Sequence, residues 1–135
     1  MIEYVNKTIP KQPPEKEYGN KEYKRYLKNH PKNNQKRFIE KRATQMLYRL
    51  IEGNGKALYL FGIDDDGEIV GMSKEELDST IFFLEKIAKS ISAKIKKFRI
   101  YTGGKGFVGT ARIHLPIELL QKIMDTINLN SNKDM

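Results

Sequence analysis

The stretch NQKRFIEKRATQMLYRLIEGNGKALYLFGIDDDGEIVGM, residues 34–72, decides the fold. From Asn34 to Glu52 the apolar residues Ile39, Ala43, Met46, Leu47 and Leu50 recur at three- and four-residue spacing, which places them on one face of a helix. Gly53-Asn54-Gly55 ends that helix, because glycine accepts the left-handed backbone that a C-cap requires. Apolar runs then occupy Ala57–Ile63 and Glu68–Met72. The acidic turn Asp64-Asp65-Asp66-Gly67 between them predicts a hairpin.

Toward the C-terminus, Ser73-Lys74-Glu75-Glu76 has the serine-to-glutamate spacing of a capping box and opens a second helix. Its face is Leu77, Ile81, Leu84, Ala88 and Ile91, supported by Phe83 and Ile87, and it runs to about Ser92. Ala93–Tyr101 and Phe107–Leu115 are rich in β-branched and aromatic residues and flank Thr102-Gly103-Gly104-Lys105-Gly106, which predicts a second hairpin. Pro116 suits the first turn of a last helix through about Ile127, followed by a frayed tail over 128–135. Toward the N-terminus, Glu22–Leu27 reads as a short edge strand broken at His30-Pro31. Residues 1–20, with Pro10, Pro13 and Pro14 among polar residues, read as a disordered or extended tail. The expected fold class is α+β: a mixed, mostly antiparallel sheet of two hairpins and an edge strand over 21–115, with two main helices packed on one face. Met46, Leu50, Tyr59, Phe61, Leu84, Ala88 and Ile113 are the expected core.

A chain of 135 residues with 39% hydrophobic and 31% charged residues fits one packed domain. It has no cysteine, which excludes disulfides, thiolate zinc sites and cysteine nucleophiles. No apolar run approaches the roughly 20 residues that span a bilayer, and the first residues lack a signal peptide's apolar core, so a cytoplasmic protein is expected. The net charge of +8 is uneven: residues 1–49 carry 13 Lys/Arg against 5 Asp/Glu, residues 50–92 carry 4 against 9, and residues 93–135 carry 8 against 3. Basic flanks of this kind attract phosphate polyanions, which makes RNA or a ribosomal surface the expected partner, with no DNA specificity.

Catalytic and cofactor motifs do not assemble. A phosphate-binding loop needs Lys followed by Ser or Thr after a glycine-rich turn, but Gly55-Lys56 is followed by Ala57 and Gly104-Lys105 by Gly106. Asp64–Asp66 lacks the alternating ligands and distant glutamate of a calcium loop, so these residues read as turn formers. His30 and His114 have no spaced partner for a metal, and no serine is singled out as a nucleophile. The expectation is a chain without catalytic residues, cofactor or metal. The candidate binding residues are basic and polar. Arg42, Gln45 and Arg49 form a stripe beside the buried face of the first helix, with Lys41 and Arg37 further round. Lys97, Arg99, Arg112 and His114 share one sheet face if strand pairing places Val108 and Thr110 with them.

Gln45-Met46, Arg49, Glu52-Gly53, Gly55, Tyr59, Gly62, Gly67, Gly71 and the Ser73-led helix together resemble the N-terminal domain of the elongation-factor-Tu-like GTP-binding proteins. Arg99 and the glycine-turned hairpin 101–113 resemble the segment that precedes the GTPase domain in that family, and the likeness covers about residues 22–115. It implies a translation-factor relative in which GTP hydrolysis and aminoacyl-tRNA handling belong to downstream domains. After Leu115 the sequence runs into Pro116-Ile117-Glu118-Leu119-Leu120 instead of a strand leading to a phosphate loop, so the chain reads as an isolated fragment or a free-standing relative whose role has diverged, and in either case as an accessory domain. Contact with a GTPase domain of the same or a related protein is a further implied role. As an alternative, Leu60–Gly71 is similar to the strand-turn-strand of AlbA/Schlafen-type nucleic-acid-binding domains, without the carboxylate cluster of a metal-dependent nuclease.

The missing phosphate loop predicts that this chain alone neither binds nor hydrolyses GTP. Titration calorimetry with magnesium and GTP is expected to show no binding heat, and stoichiometric magnesium-dependent binding would contradict the reading.

Overall fold

The apolar periods of the sequence become eight elements: β1 (Ile2–Val5), β2 (Lys21–Lys24), α1 (Gln35–Glu52), β3 (Lys56–Phe61), α2 (Lys74–Ser90), β4 (Lys94–Tyr101), β5 (Val108–His114) and α3 (Ile117–Lys133). These are seen in a computed structural model that describes residues 2–30, 32 and 34–133. Pro31, half of the expected break at His30-Pro31, lies outside the described residues, as do Met1 of the expected N-terminal tail and Asp134 and Met135 of the expected C-terminal one.

Asn34 caps α1 by accepting from the Arg37 amide, and the left-handed residues at the helix end are Asn54 and Gly55 rather than Gly53. The capping box of α2 is complete: the Ser73 hydroxyl accepts from the Glu76 amide, and the Glu76 carboxylate accepts from the Ser73 amide. Among the described residues the five strands form one mixed sheet in the order β1-β4-β5-β3-β2. Its centre is antiparallel, β3 with β5 and β4 with β5, and its two edges are parallel, β1 with β4 and β2 with β3. One side of the sheet packs against α1 and α2 in a core that holds all seven expected residues, Met46, Leu50, Tyr59, Phe61, Leu84, Ala88 and Ile113. The α3 helix joins this core through Leu120. No helix among the described residues is long and apolar enough to cross a membrane.

Three further details depart from the sequence expectation. Ile2–Val5, expected in an extended tail, is a strand, and the chain after it is laid across the sheet: Gln12 donates to the Gly67 carbonyl and Glu15 to that of Asp65. Gly67, at φ +91, accommodates this crossing, since an added Cβ would lie 1.8 Å from the Gln12 oxygen. The first hairpin keeps its turn but loses its second strand. Gly62 is left-handed (φ +80) and its carbonyl accepts from both Val70 and Gly71, so the returning chain curls over the end of β3 with a single bridge, Ile63 to Ile69. The last helix extends to Lys133, past the expected Ile127.

Arg49 joins the layers. It lies at the third position after Met46 on the buried side of α1 and is only 4% exposed. Its Nε donates to Glu22 Oε1 at 2.9 Å, Nη1 to the Gly19 carbonyl at 3.0 Å and Nη2 to the Lys16 carbonyl at 2.9 Å. Helix, edge strand and N-terminal segment thus meet at one guanidinium.

Two substitutions test this packing. Leu84→Ala, at a fully buried site, is expected to lose about 2–5 kcal/mol. Arg49→Ala, which leaves buried Glu22 with only the longer contact to Lys24 at 3.6 Å, is expected to lose about 3–5 kcal/mol. Urea denaturation measures both, and wild-type stability in either variant would contradict the assigned contacts.

Candidate nucleic-acid interface

Strand β4 has the sequence KIKKFRIY, in which Ile95 and Phe98 are three residues apart. Strict alternation cannot turn both toward the helices. The register shifts between Ile95 and Lys97, so that Ile95 pairs with Ile113 and Phe98 with Ala111, all packed in the core, while Lys97 pairs with Arg112 on the opposite side. The bulge reconciles the apolar spacing with the sheet and turns Lys97, Arg99 and Tyr101 away from the helices.

The pairing therefore meets the condition set by the sequence: Arg99 lies opposite Thr110 and Tyr101 opposite Val108, and Lys94 lies opposite His114. Across the next strands Arg112 pairs with Leu58, and Leu58 with Lys21. Lys97, Arg112, Leu58 and Lys21 consequently form one row over four strands, spanning about 14 Å at the usual strand spacing. Lys97, Arg99, Thr110, Arg112 and Leu58 line a shallow depression of about 180 Å³.

The row is strongly positive. Lys97 and Arg99 share one carboxylate, that of Glu3 on β1, at 3.2 and 3.4 Å, and the Lys97 and Arg99 side chains beside Glu3 hold its carboxyl below the ordinary value. Among the described residues no carboxylate pairs with Arg112 or Lys21. Like charges directly opposite on neighbouring strands are destabilising, by a few tenths of a kcal/mol to about 1 kcal/mol. The fold tolerates that cost at Lys97 and Arg112. His114 feels the same field: burial first, then Lys56, Lys96 and Arg112, lower its pKa below the ordinary 6.5, so it enters this surface as a neutral imidazole near pH 7.

The first-helix candidates stand elsewhere. Arg37 and Lys41 are exposed on the outer side of α1. The Arg42 guanidinium lies over the Phe38 ring, 5.2 Å from its centroid, and reaches Gln45 Oε1 at 3.4 Å. Arg49 points inward, and its donors are taken by Glu22 and two carbonyls, so it offers nothing to a partner. Because α1 covers the other side of the sheet, these residues do not combine with Lys97, Arg99 and Arg112 into one surface. Lys21, Lys56 and Lys96 join the four candidates of the sheet face only through strand order and pairing; the Ile95 to Phe98 spacing, which requires the bulge, is the sequence signal that turns Lys97 outward.

One carboxylate of the acidic turn is engaged by a cation. Arg25 grips Asp64 through Nε–Oδ1 and Nη2–Oδ2 contacts of 2.9 and 2.6 Å, and this ion pair holds the Asp64 carboxyl below its ordinary value. Among the described residues no group of three His, Cys, Asp or Glu side chains gathers around a common point.

GTP-binding protein 2 of mouse and of human are each 42% identical to the chain over 90 residues. The chain is related to a GTP-binding protein. The match covers 67% of this chain and 14% of the length of those relatives. No family model matches the chain, and no solved structure matches it.

Proposed function

We propose that the chain is a non-catalytic accessory domain of a GTP-binding translation factor, and that it contacts RNA through the open face of its sheet. The observation that carries this reading is the row Lys97–Arg112–Leu58–Lys21. Lys97 and Arg112 there stand directly opposite one another, and Glu3, the carboxylate beside Lys97, is divided between Lys97 and Arg99, an arrangement that a polyanion neutralises and that folding alone disfavours. Kinship to GTP-binding protein 2 supports a place beside a GTPase. Nucleotide chemistry belongs, on this reading, to another domain, since the chain has no phosphate loop. RNA of the ribosome or a transfer RNA is the natural polyanion for such a module, in the cytoplasm. The face recognises phosphate and shape, without a base-reading helix for duplex DNA.

Charge reversal separates this from docking on a GTPase domain. Fluorescence anisotropy with labelled ribosomal or transfer RNA is expected to show binding that weakens steeply as salt rises from about 50 to 200 mM, because neutralised phosphates release counterions. Lys97→Glu and Arg112→Glu are expected to weaken it about tenfold or more each, whereas Arg37→Glu and Lys41→Glu, on the helix side, change it little. Absence of RNA binding by the wild-type chain at low salt would sink the RNA reading in favour of protein docking.

A further inference from the structure

The basic row ends at Lys21, and immediately beyond it the N-terminal segment forms a cavity of about 270 Å³ lined by Pro13, Pro14, Lys16, Tyr18, Lys21 and Tyr23. Tyr18 is 63% exposed, and the Lys16 ammonium stands over its ring, 5.6 Å from the centroid. The loop that carries them is pinned from several sides. Arg49 holds the carbonyls of Lys16 and Gly19, the Tyr48 hydroxyl donates to the Glu17 carbonyl, and the Gly19 amide donates to Glu52. Asn20 is fixed through its side chain to the Lys56 carbonyl and through its own carbonyl to the Leu58 amide. The opposite wall is fastened by the Tyr23 hydroxyl, which donates to the Pro13 carbonyl at 2.9 Å.

A largely exposed aromatic ring on a pinned loop, with a lysine ammonium over one face and at the end of a phosphate-attracting row, has the two parts that single-stranded nucleic acid needs: a stacking platform and a positive track. The cavity is smaller than the roughly 300–1,000 Å³ of sites for drug-sized ligands, which suits one planar heterocycle. We infer that the Tyr18 cavity stacks one unpaired nucleobase of a single-stranded RNA whose backbone continues over Lys21, Arg112 and Lys97. The inference rests on the RNA reading of the sheet face and adds to it a base-contacting residue. The ring supplies the stacking surface, Lys16 and Lys21 meet the flanking phosphates, and the bound bases are selected by being unpaired rather than by sequence, since every base presents a π-face.

The experiment compares a labelled ten-nucleotide oligouridylate with an abasic ribose-phosphate chain of equal length, using the whole chain as wild type, Tyr18→Ala and Tyr18→Phe. Tyr18→Ala is expected to bind oligouridylate at least fivefold more weakly and the abasic chain as wild type does, whereas Tyr18→Phe, which keeps the ring, is expected to bind both chains as wild type does. Equal affinity of Tyr18→Ala and wild type for oligouridylate would overturn the base site while leaving the charge-based reading standing. A loss on the abasic chain as large as on oligouridylate would also overturn it, because the tyrosine would then act without a base. If the wild type binds neither chain, the base site and the RNA reading fall together.

Discussion

A single buried guanidinium holds the architecture in register. Arg49 is placed on the inner side of α1 by the same helical period that buries Met46 and Leu50, and burial of its charge requires compensating partners. Glu22 on β2 supplies the charge, and the carbonyls of Lys16 and Gly19 supply the remaining acceptors. The edge strand is thereby fixed to the helix, and the chain before it is obliged to cross the sheet rather than leave it. Glu15, further back along that chain, approaches Arg49 at 3.9 Å and accepts from the Tyr23 amide; burial, then the neighbouring Glu22 and Asp65 carboxylates, raise its pKa despite those contacts.

From that constraint follows an asymmetry between the two sides of the sheet. The helix side is closed by the large core around Phe61, Phe98 and Ile113. The other side is covered at one end only, where Tyr23, Leu60, Ile63 and Val108 form a second, smaller cluster joined by Ile9 of the crossing segment. The remaining surface is left to Lys97, Arg99, Thr110 and Arg112. The apolar residues of the crossing segment are thus spent on one half of the face, and the other half stays open and cationic. That open half is the surface proposed to meet RNA.

Much of this was legible in residues with a local cause. The helices were announced by their periods, the start of α2 by Ser73 and Glu76, and the second hairpin by its glycine-rich turn; the convergence of Lys97, Arg99 and Arg112 followed from the pleat once Val108 and Thr110 were placed with them. What escaped depends on partners distant in sequence. Nothing in Ile2–Val5 announces that it pairs with Phe98–Tyr101, and parallel pairing leaves no hairpin turn to read. Arg49 looked like surface because its partners lie 27 to 33 residues away, although its position three residues after Met46 already put it beside the core. The Glu68–Met72 run looked like a strand because composition does not reveal that Gly62 and Gly71 turn left-handed. The split of the basic residues onto opposite sides of the sheet is likewise a property of layer order, which the helix and strand patterns do not contain.

Ligand contact on the open side of the sheet and none on the helix side, as proposed, is a division that amide chemical-shift mapping reads directly. Titrating single-stranded RNA into the isotope-labelled chain at low salt is predicted to shift the amides of Lys21, Leu58, Lys97, Arg99, Thr110 and Arg112 together with the loop 16–20, and to leave the outer faces of α1 and α2 unmoved. Shifts centred on Arg37 and Lys41, with β4 and β5 silent, would contradict the assignment of the open sheet face as the binding surface.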